Sequence, residues 1–178
     1  MTESFCRFVL TDVKESEIRQ EIGYDVFEPT VEIEINEKKV FSSSGAKGAE
    51  PVVIMHFRED ALTETRQLLN NYDQDPGRED DYEYWFHGTG CGLKLKRQGA
   101  QLDLSLDVDW GCGPASNLDP GIYPMGQIAV RDWVEAIVGL SKELSDWFRR
   151  LNPQLFGYIK NQELWIQELE SRLISQGP

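Results

Sequence analysis

The sequence predicts an α+β fold: one domain over residues 1–178, with a mostly antiparallel β-sheet packed against one internal helix and two consecutive C-terminal helices. Short segments in which apolar and polar residues alternate dominate the first two thirds of the chain. One segment with helical spacing interrupts them, and two long amphipathic segments follow them. Strands joined by short turns pair antiparallel, and 178 residues suit a single domain.

The first two strand segments are predicted from alternation. Residues 5–13 place Cys6 and Phe8 on one side and polar or smaller residues on the other. Residues 31–41 alternate valine and isoleucine with glutamate, which predicts one buried and one solvated face. The polar residues 36–39 are predicted to turn this segment back on itself as a hairpin.

The middle of the chain is predicted to contain a strand, a helix and two loops. Residues 42–50 are rich in Ser, Gly and Ala and predict a loop. Residues 51–57 begin at a proline and contain a β-branched run, which predicts a strand buried on both faces. Apolar residues at steps of three and four predict a helix over 59–71. An acidic loop over 73–83 and an aromatic strand over 82–87 are predicted to follow.

A hairpin over residues 92–109 carries the clearest alternation in the chain. Leucine and valine occupy every second position, with lysine on the first strand and aspartate on the second. Gln98 and Gly99 are predicted to form its two-residue turn, because glycine accepts the positive φ that such a turn requires. The register about this turn places Leu95 opposite Leu102 and Lys94 opposite Asp103.

The C-terminal third is predicted to be helical. A Gly/Pro-rich loop over 111–124 and a short strand over 127–130 come first. An apolar stripe then predicts a helix over 131–151, and Pro153 ends it and opens a second helix. The segment 152–178 either packs on the domain or forms the interface of a homo-oligomer.

The charge balance is strongly acidic, with 31 acidic and 18 basic residues and a formal net charge of −13. Such a charge repels the nucleic-acid backbone and anionic membranes, so neither is predicted as a partner. It attracts a basic protein and speeds the encounter with it. Solubility alone is the competing interpretation of the same charge.

The compartment is predicted from the cysteines and the N-terminus. The chain has three cysteines, an odd number, and residues 1–10 lack the continuous apolar segment of a signal peptide. A cytoplasmic protein with reduced thiols is therefore expected. No Walker A, G-x-G-x-x-G or G-x-S-x-G motif occurs, and no cofactor is predicted.

An acidic segment followed directly by aromatic residues is the first candidate for a functional surface. Tyrosine and tryptophan are common anchors of protein interfaces, and neighbouring carboxylates suit a basic partner. The leading hypothesis is a non-enzymatic acidic binding module, such as an inhibitor of a basic toxin or nuclease. The predicted partner-binding residues are Asp75, Glu79, Asp80, Asp81, Tyr82, Tyr84 and Trp85.

A row of carboxylates supports an alternative function, a metal-dependent hydrolase. Asp103, Asp107 and Asp109 share one face of the second hairpin strand, and neighbouring positions on that face, such as Asp107 and Asp109, stand about 7 Å apart. Asp107 and Asp109, helped by His87, would hold a hard cation or act as acid and base. A solvated sheet face produces the same pattern.

Two further metal patterns are weaker. His87, Cys91 and Cys112 flank the hairpin and supply ligands that zinc prefers, but their spacing matches no zinc-binding motif, and no metal is predicted. The acidic residues of 73–83 alternate as in a calcium-binding loop. Arg78 stands where such a loop requires glycine.

Overall fold

The computed structural model describes residues 4–11, 13–20, 30–42, 54–86, 90–109 and 119–175, and within these ranges it confirms the α+β fold. The strands are β1 (Cys6–Thr11), β2 (Thr30–Ile35), β3 (Lys38–Ser42), β4 (Glu79–Phe86), β5 (Cys91–Gln98), β6 (Gln101–Val108) and β7 (Gly121–Ala129). The helices are α1 (Glu15–Gln20), α2 (Ile54–Gln74), α3 (Val130–Leu151), α4 (Pro153–Ile159) and α5 (Glu163–Ser175).

A three-stranded antiparallel sheet has the order β1-β2-β3 and confirms both predicted N-terminal strand segments. Phe8 lies opposite Ile33 across β1 and β2, and both side chains are buried. Asn36 and Glu37 form the hairpin turn with φ of 51° and 63°, a left-handed conformation that asparagine accepts more readily than most residues. The predicted loop over 42–50 lies outside the described residues from position 43 onward.

A four-stranded antiparallel sheet has the order β4-β5-β6-β7 and contains the predicted hairpin. The predicted register is wrong by two residues, because the turn is formed by Gly99 and Ala100, with φ of 61° at Gly99. A shift of two residues leaves each side chain on its predicted face. The observed pairs include Leu95 with Leu104, Lys94 with Ser105 and Lys96 with Asp103.

Strand β7 begins well before its predicted start. The loop predicted over 111–124 is wrong for residues 121–124, which pair with β6; residues 111–118 lie outside the described part of the chain. The pairing shifts register between Leu104 and Ser105 of β6, opposite Pro124 and Gly126 of β7. Gly126 has a φ of 143°, so its lack of a side chain permits this irregularity.

Helix α2 replaces the strand predicted over 51–57. That prediction is wrong for residues 54–57, which form the first turn of a helix, and residues 51–53 lie outside the described part of the chain. Consecutive apolar residues do not distinguish a buried strand from a buried helix. The buried positions of α2 recur at helical spacing from its first residue: Ile54, Phe57, Arg58, Ala61, Leu62, Thr65, Leu68 and Leu69.

Trp133 of α3 joins the two sheets to the helical layer. Its ring centroid lies 5.0 Å from that of Tyr84 on β4 and 5.7 Å from that of Phe8 on β1. Its indole Nε1 donates a hydrogen bond of 3.1 Å to Oγ1 of Thr65 on α2. The side chain is fully buried, so this one tryptophan fixes α2, α3 and one strand of each sheet around a common centre.

The C-terminal helices pack on the rest of the chain. The helix predicted after Pro153 is interrupted by a 3₁₀ turn at Lys160–Gln162, and the structure adds the short helix α1, which was not predicted. Helix α5 buries Ile166 and Leu169 against the core. Its ion pairs Arg66–Glu168 (2.8 Å) and Arg172–Asp73 (2.6 Å) join it to α2. The homo-oligomer hypothesis for this segment stays a prediction.

A buried arginine links α2, α3 and the segment before α5. Nη1 of Arg58 donates to Oε1 of Gln162, and Nη2 donates to Oγ of Ser145 at 2.8 Å. Burial lowers the pKa of the Arg58 guanidinium to about 10, although Glu163, 3.8 Å away, opposes that shift. A buried charge needs such partners, so this cluster fixes where the C-terminal helices attach.

Candidate partner-binding surface

The four-stranded sheet has one buried and one exposed face. Its buried face packs against the helical layer through the aromatic and aliphatic residues of β4, β5 and β6. In the part of the chain that the structure describes, no helix covers the other face, which we term the open face. The open face consists of Glu79, Asp81, Glu83 and Trp85 on β4, Lys94 and Lys96 on β5, Asp103, Ser105 and Asp107 on β6, and Ile122 and Pro124 on β7.

Ion pairs cross the open face from strand to strand. Nζ of Lys94 lies 2.7 Å from Asp107 and 3.5 Å from Glu83, so it links β4, β5 and β6. The hydrogen bond to Asp107 is the largest contribution that raises the pKa of Lys94. Nζ of Lys96 lies 3.3 Å from Glu79. Exposed ion pairs of this kind contribute little stability, so cationic side chains of a partner can replace Lys94 and Lys96 as the partners of these carboxylates.

The open face is acidic even after these pairs form. It carries the two lysines and five carboxylates, from Glu79, Asp81, Glu83, Asp103 and Asp107. Asp103 accepts a hydrogen bond of 3.0 Å from Nε2 of Gln127, which leaves its charge in place. The excess of carboxylates gives the surface a negative potential.

Trp85 provides an exposed aromatic surface at one end of the open face. Its side chain is 36% exposed, and it lies opposite Gly92 of β5. A Cβ atom at Gly92 would lie 3.0 Å from Cε3 of Trp85, so the indole ring occupies the space that a side chain would fill. The same cross-strand row continues through Asp107 to Ile122, which is 57% exposed. Aromatic and aliphatic surface therefore lies in one row with a carboxylate.

A shallow depression of about 520 Å³ occupies the middle of the open face. Asp81, Glu83, Lys94 and Asp103 line it, with Ile122 at one side. Its size suits side chains of a partner, and its walls combine charged groups with apolar surface from Leu95, Leu104 and Pro124.

The structure divides the predicted partner-binding residues into three groups. Glu79, Asp81 and Trp85 lie on the open face. Tyr82 and Tyr84 point to the opposite face, where they are 5% and 1% exposed, so they belong to the core rather than to a binding surface. The physical reason is the two-residue period of a strand, which sends alternate side chains of β4 to opposite faces.

Asp80 and Asp75 have structural roles. The carboxylate of Asp80 accepts two hydrogen bonds from Arg97 and also pairs with Arg78 at 2.7 Å. Oδ1 of Asp75 accepts a hydrogen bond of 3.1 Å from the Gly77 amide, although Asp75 remains exposed beside β4. The predicted acidic loop over 73–83 is therefore wrong for most of its length, because α2 extends to Gln74 and β4 starts at Glu79.

The structure describes only some of the residues of the alternative carboxylate site predicted for a metal-dependent hydrolase. Asp107 pairs with Lys94 on the open face, and Asp109 is exposed at the end of β6. His87 lies outside the described residues, as does Cys112, while the thiol of Cys91 is buried. Among the described residues, no group of three His, Cys, Asp or Glu side chains is arranged to hold a metal ion.

Ile122 and Glu83 belong to the open face but were not predicted as partner-binding residues. Glu83 alternates with the buried tyrosines of β4, so its position on the exposed face could be predicted once the strand was recognised. Ile122 lies between glycine and proline residues that predicted a loop, and only its pairing with Asp107 places it on the sheet.

Comparisons with protein-family models, curated proteins and solved structures found no match to this chain. Within the described residues, no helix combines the length and the apolar character needed to cross a bilayer.

Proposed function

We propose that this chain is a non-enzymatic binding module that engages a basic protein through the open face. The exposed indole ring of Trp85 among carboxylates is the observation that supports the proposal most strongly. Tryptophan contributes large binding energies when a partner buries it, and adjacent acids favour lysine and arginine around that anchor. Long-range attraction from the net charge of −13 would raise the rate of association.

The sheet suits this role because its binding residues lie on regular strands. Strands β4, β5 and β6 pair without a register shift between β4 and β5 or between β5 and β6, and an aromatic and aliphatic core supports them from beneath. A surface held in one conformation loses less entropy on binding than a flexible loop does. Inhibition of a basic toxin or nuclease is the narrower form of the proposal, since such enzymes use cationic surfaces to bind nucleic acid.

Affinity capture with matched variants tests the proposal. Extract of the source cells is passed over the immobilised wild type and over an open-face variant that carries Glu79→Gln, Asp81→Asn and Glu83→Gln. We expect one basic protein to bind the wild type, to elute with salt, and to be lost from the open-face variant.

A control variant separates the open face from net charge. Glu15→Gln, Asp60→Asn and Asp146→Asn remove the same number of charges from exposed positions elsewhere. Retention of the basic protein by this control supports the proposal. Equal capture by the wild type, the open-face variant and the control would contradict it, because the open face would then contribute nothing specific.

The purified partner then permits a quantitative test of the aromatic anchor. Trp85→Ala is expected to weaken binding at least ~10-fold in calorimetry, as truncation of a buried interface tryptophan generally does. If the partner is a toxin or nuclease, its activity should fall as wild-type chain is added and recover with the open-face variant. Undiminished activity in the saturated complex would exclude the inhibitor form.

A further inference from the structure

A second surface feature is a groove of about 1220 Å³ between β1, the β2–β3 turn and α3, which we term the β1 groove. Phe5 and Arg7 line it from one side of β1, while Cys6 and Phe8 line it from the other. Side chains from both sides of a strand border one cavity only where that cavity runs along the edge of the strand. The β1 groove therefore follows the outer edge of the three-stranded sheet.

In the part of the chain that the structure describes, β1 is one of the two edge strands of that sheet. Among the described strands, it pairs only with β2, on the edge away from the groove. Alternate backbone N–H and C=O groups of an edge strand point outward and can pair with another extended chain. Many peptide-binding domains bind their ligands by adding a strand at such an edge.

The start of β1 is held rigidly in position. Oγ of Ser4 donates to the Asp132 carboxylate and accepts a hydrogen bond of 3.2 Å from the Ala129 amide at the start of α3. The Phe5 amide donates to Oδ1 of Asn36 at 3.0 Å, and its carbonyl accepts from the Asn36 amide at 2.9 Å. An edge fixed in this way is ready to receive a ligand without prior rearrangement.

Helix α3 forms the opposite wall of the groove and is acidic there. Glu37, Asp132, Glu135 and Glu143 line the groove, against the two basic residues Arg7 and Lys38, of which Arg7 is already paired with Glu34. Glu135 pairs with Arg131 on its own helix at 2.9 Å, and this exposed pair contributes little stability, so the cation of a partner can replace Arg131. Glu143 is exposed at the wall of the groove, and partial desolvation raises the pKa of its carboxyl group, so a nearby cation would stabilise the charged form.

The spacing of two of these carboxylates matches an extended peptide. Glu135 and Glu143 are eight residues apart, about 12 Å along a helix. Positions four residues apart in a strand are separated by roughly 13 Å and face the same side. Basic side chains at such positions can therefore reach both carboxylates from one strand.

Gly139 keeps this wall open. It lines the groove, and a Cβ atom built on it meets no atom within 4 Å apart from its chain neighbours and the adjacent backbone of its own helix. Helix interiors disfavour glycine by about 1 kcal/mol relative to alanine, so Gly139 lowers the stability of the helix but leaves room in the groove for a ligand.

We propose that the β1 groove binds an extended basic segment of a partner protein. This segment adds to the outer edge of β1 as a further strand and places lysine or arginine side chains against Glu135 and Glu143.

A defined peptide tests the groove. The probe is a fluorescent peptide of alternating lysine and threonine residues, titrated with the wild type and with Gly139→Tyr, whose new side chain would fill the groove. Gly157→Tyr is the matched control, because Gly157 is also an exposed helical glycine with open space around its Cβ position. We expect Gly139→Tyr to weaken binding at least ~10-fold and Gly157→Tyr to leave it unchanged.

Two further readouts establish the binding mode. A peptide in which every backbone amide is N-methylated cannot donate hydrogen bonds to the edge of β1. It should bind much more weakly than the parent peptide. Amide hydrogen exchange of β1 should slow when the parent peptide is bound. The double variant Glu135→Gln and Glu143→Gln provides a test that does not depend on the folding of Gly139→Tyr, and it should weaken binding of the parent peptide.

Several results would overturn the proposal. Absence of peptide binding by the wild type, equal binding of the N-methylated peptide, or unchanged binding by the double variant would each do so. The β1 groove and the depression on the open face share no lining residue, so the two proposals fail separately. Loss of peptide binding in the open-face variant would place the peptide on the open face instead of in the groove.

Discussion

Arg97 and Asp80 form an ion pair that is almost completely removed from solvent. Nη2 of Arg97 lies 2.5 Å from Oδ2 of Asp80, and the two side chains are 0% and 6% exposed. The same guanidinium donates to the carbonyl oxygens of Asp75 and Pro76 in the α2–β4 turn and of Gly99 in the β5–β6 turn. One arginine thus connects two turns and fixes the start of β4, the strand that carries Trp85.

The first prediction concerns this pair. Asp80→Asn should lower the free energy of unfolding by about 3–5 kcal/mol, because it leaves the Arg97 charge buried without its counter-ion. Asp81→Asn is the matched control, since Asp81 is the exposed neighbour on the same strand and should change stability by less than about 0.5 kcal/mol. Urea unfolding of both variants measures the difference. Equal stability of the two would mean that Arg97 finds other partners.

The second prediction concerns the cysteines. The thiols of Cys6 and Cys91 are buried, and burial raises the pKa of Cys6 to about 12, with a smaller contribution from Asp132. The thiolate is the reactive form, so Cys6 should not react with a disulfide reagent at mildly alkaline pH in the folded protein, and Cys91 should not react because its side chain is fully buried. In a Cys112→Ser variant, we expect no reaction under native conditions and reaction of both thiols in denaturant. Rapid native reaction would contradict the burial of one of them.

The third prediction concerns the buried cluster around Arg58. Gln162→Ala removes the acceptor of the Nη1 hydrogen bond and should cost about 1–3 kcal/mol, because the donor stays buried. Gln167→Ala serves as the control from the exposed side of α5. Differential scanning calorimetry should show a lower Tm for the first variant alone. A similar Tm for both would indicate that the C-terminal helices attach mainly through apolar contacts.

The fourth prediction concerns pH and Glu143. Burial raises the pKa of this carboxyl group in the folded protein, so the folded chain binds its proton more tightly than the unfolded chain does. Its contribution to stability is therefore fully present below the pKa of an unfolded glutamate, about 4.3, and is lost as pH rises through the folded value. Glu143→Gln should be more stable than the wild type near neutral pH and equally stable below about pH 4. Denaturant midpoints across this range measure it, and a variant less stable at neutral pH would contradict the prediction.

The sequence was sufficient where side-chain alternation was unambiguous. The leucines of 93–106 occupy every second position, so the faces of β5 and β6 were predictable even though the turn was misplaced. Helix α3 was equally clear from its apolar stripe. The outward position of Trp85 and the inward positions of Tyr82 and Tyr84 follow from the same two-residue period.

Other elements depended on contacts between residues distant in the sequence. Residues 54–57 are apolar enough for either a strand or a helix, and only packing against the core decides between them. Asp80 belongs to the buried side of β4 because Arg97, on the next strand, compensates its charge. Residues 121–124 form a strand because β6 provides their hydrogen-bond partners, although glycine and proline locally favour a loop. The β1 groove likewise exists only where β1 and α3 come together.

The two outer strands of the four-stranded sheet also bear on aggregation. Strand β7 contains Pro124, which has no N–H to offer, and an irregularity at Gly126. Strand β4 is regular but carries Glu79, Asp81 and Glu83, so two copies that approached along this edge would bring like charges together. The acidic strand proposed to attract a basic partner would therefore also keep copies of the chain dispersed in concentrated solution, while a polycation would be able to bridge them.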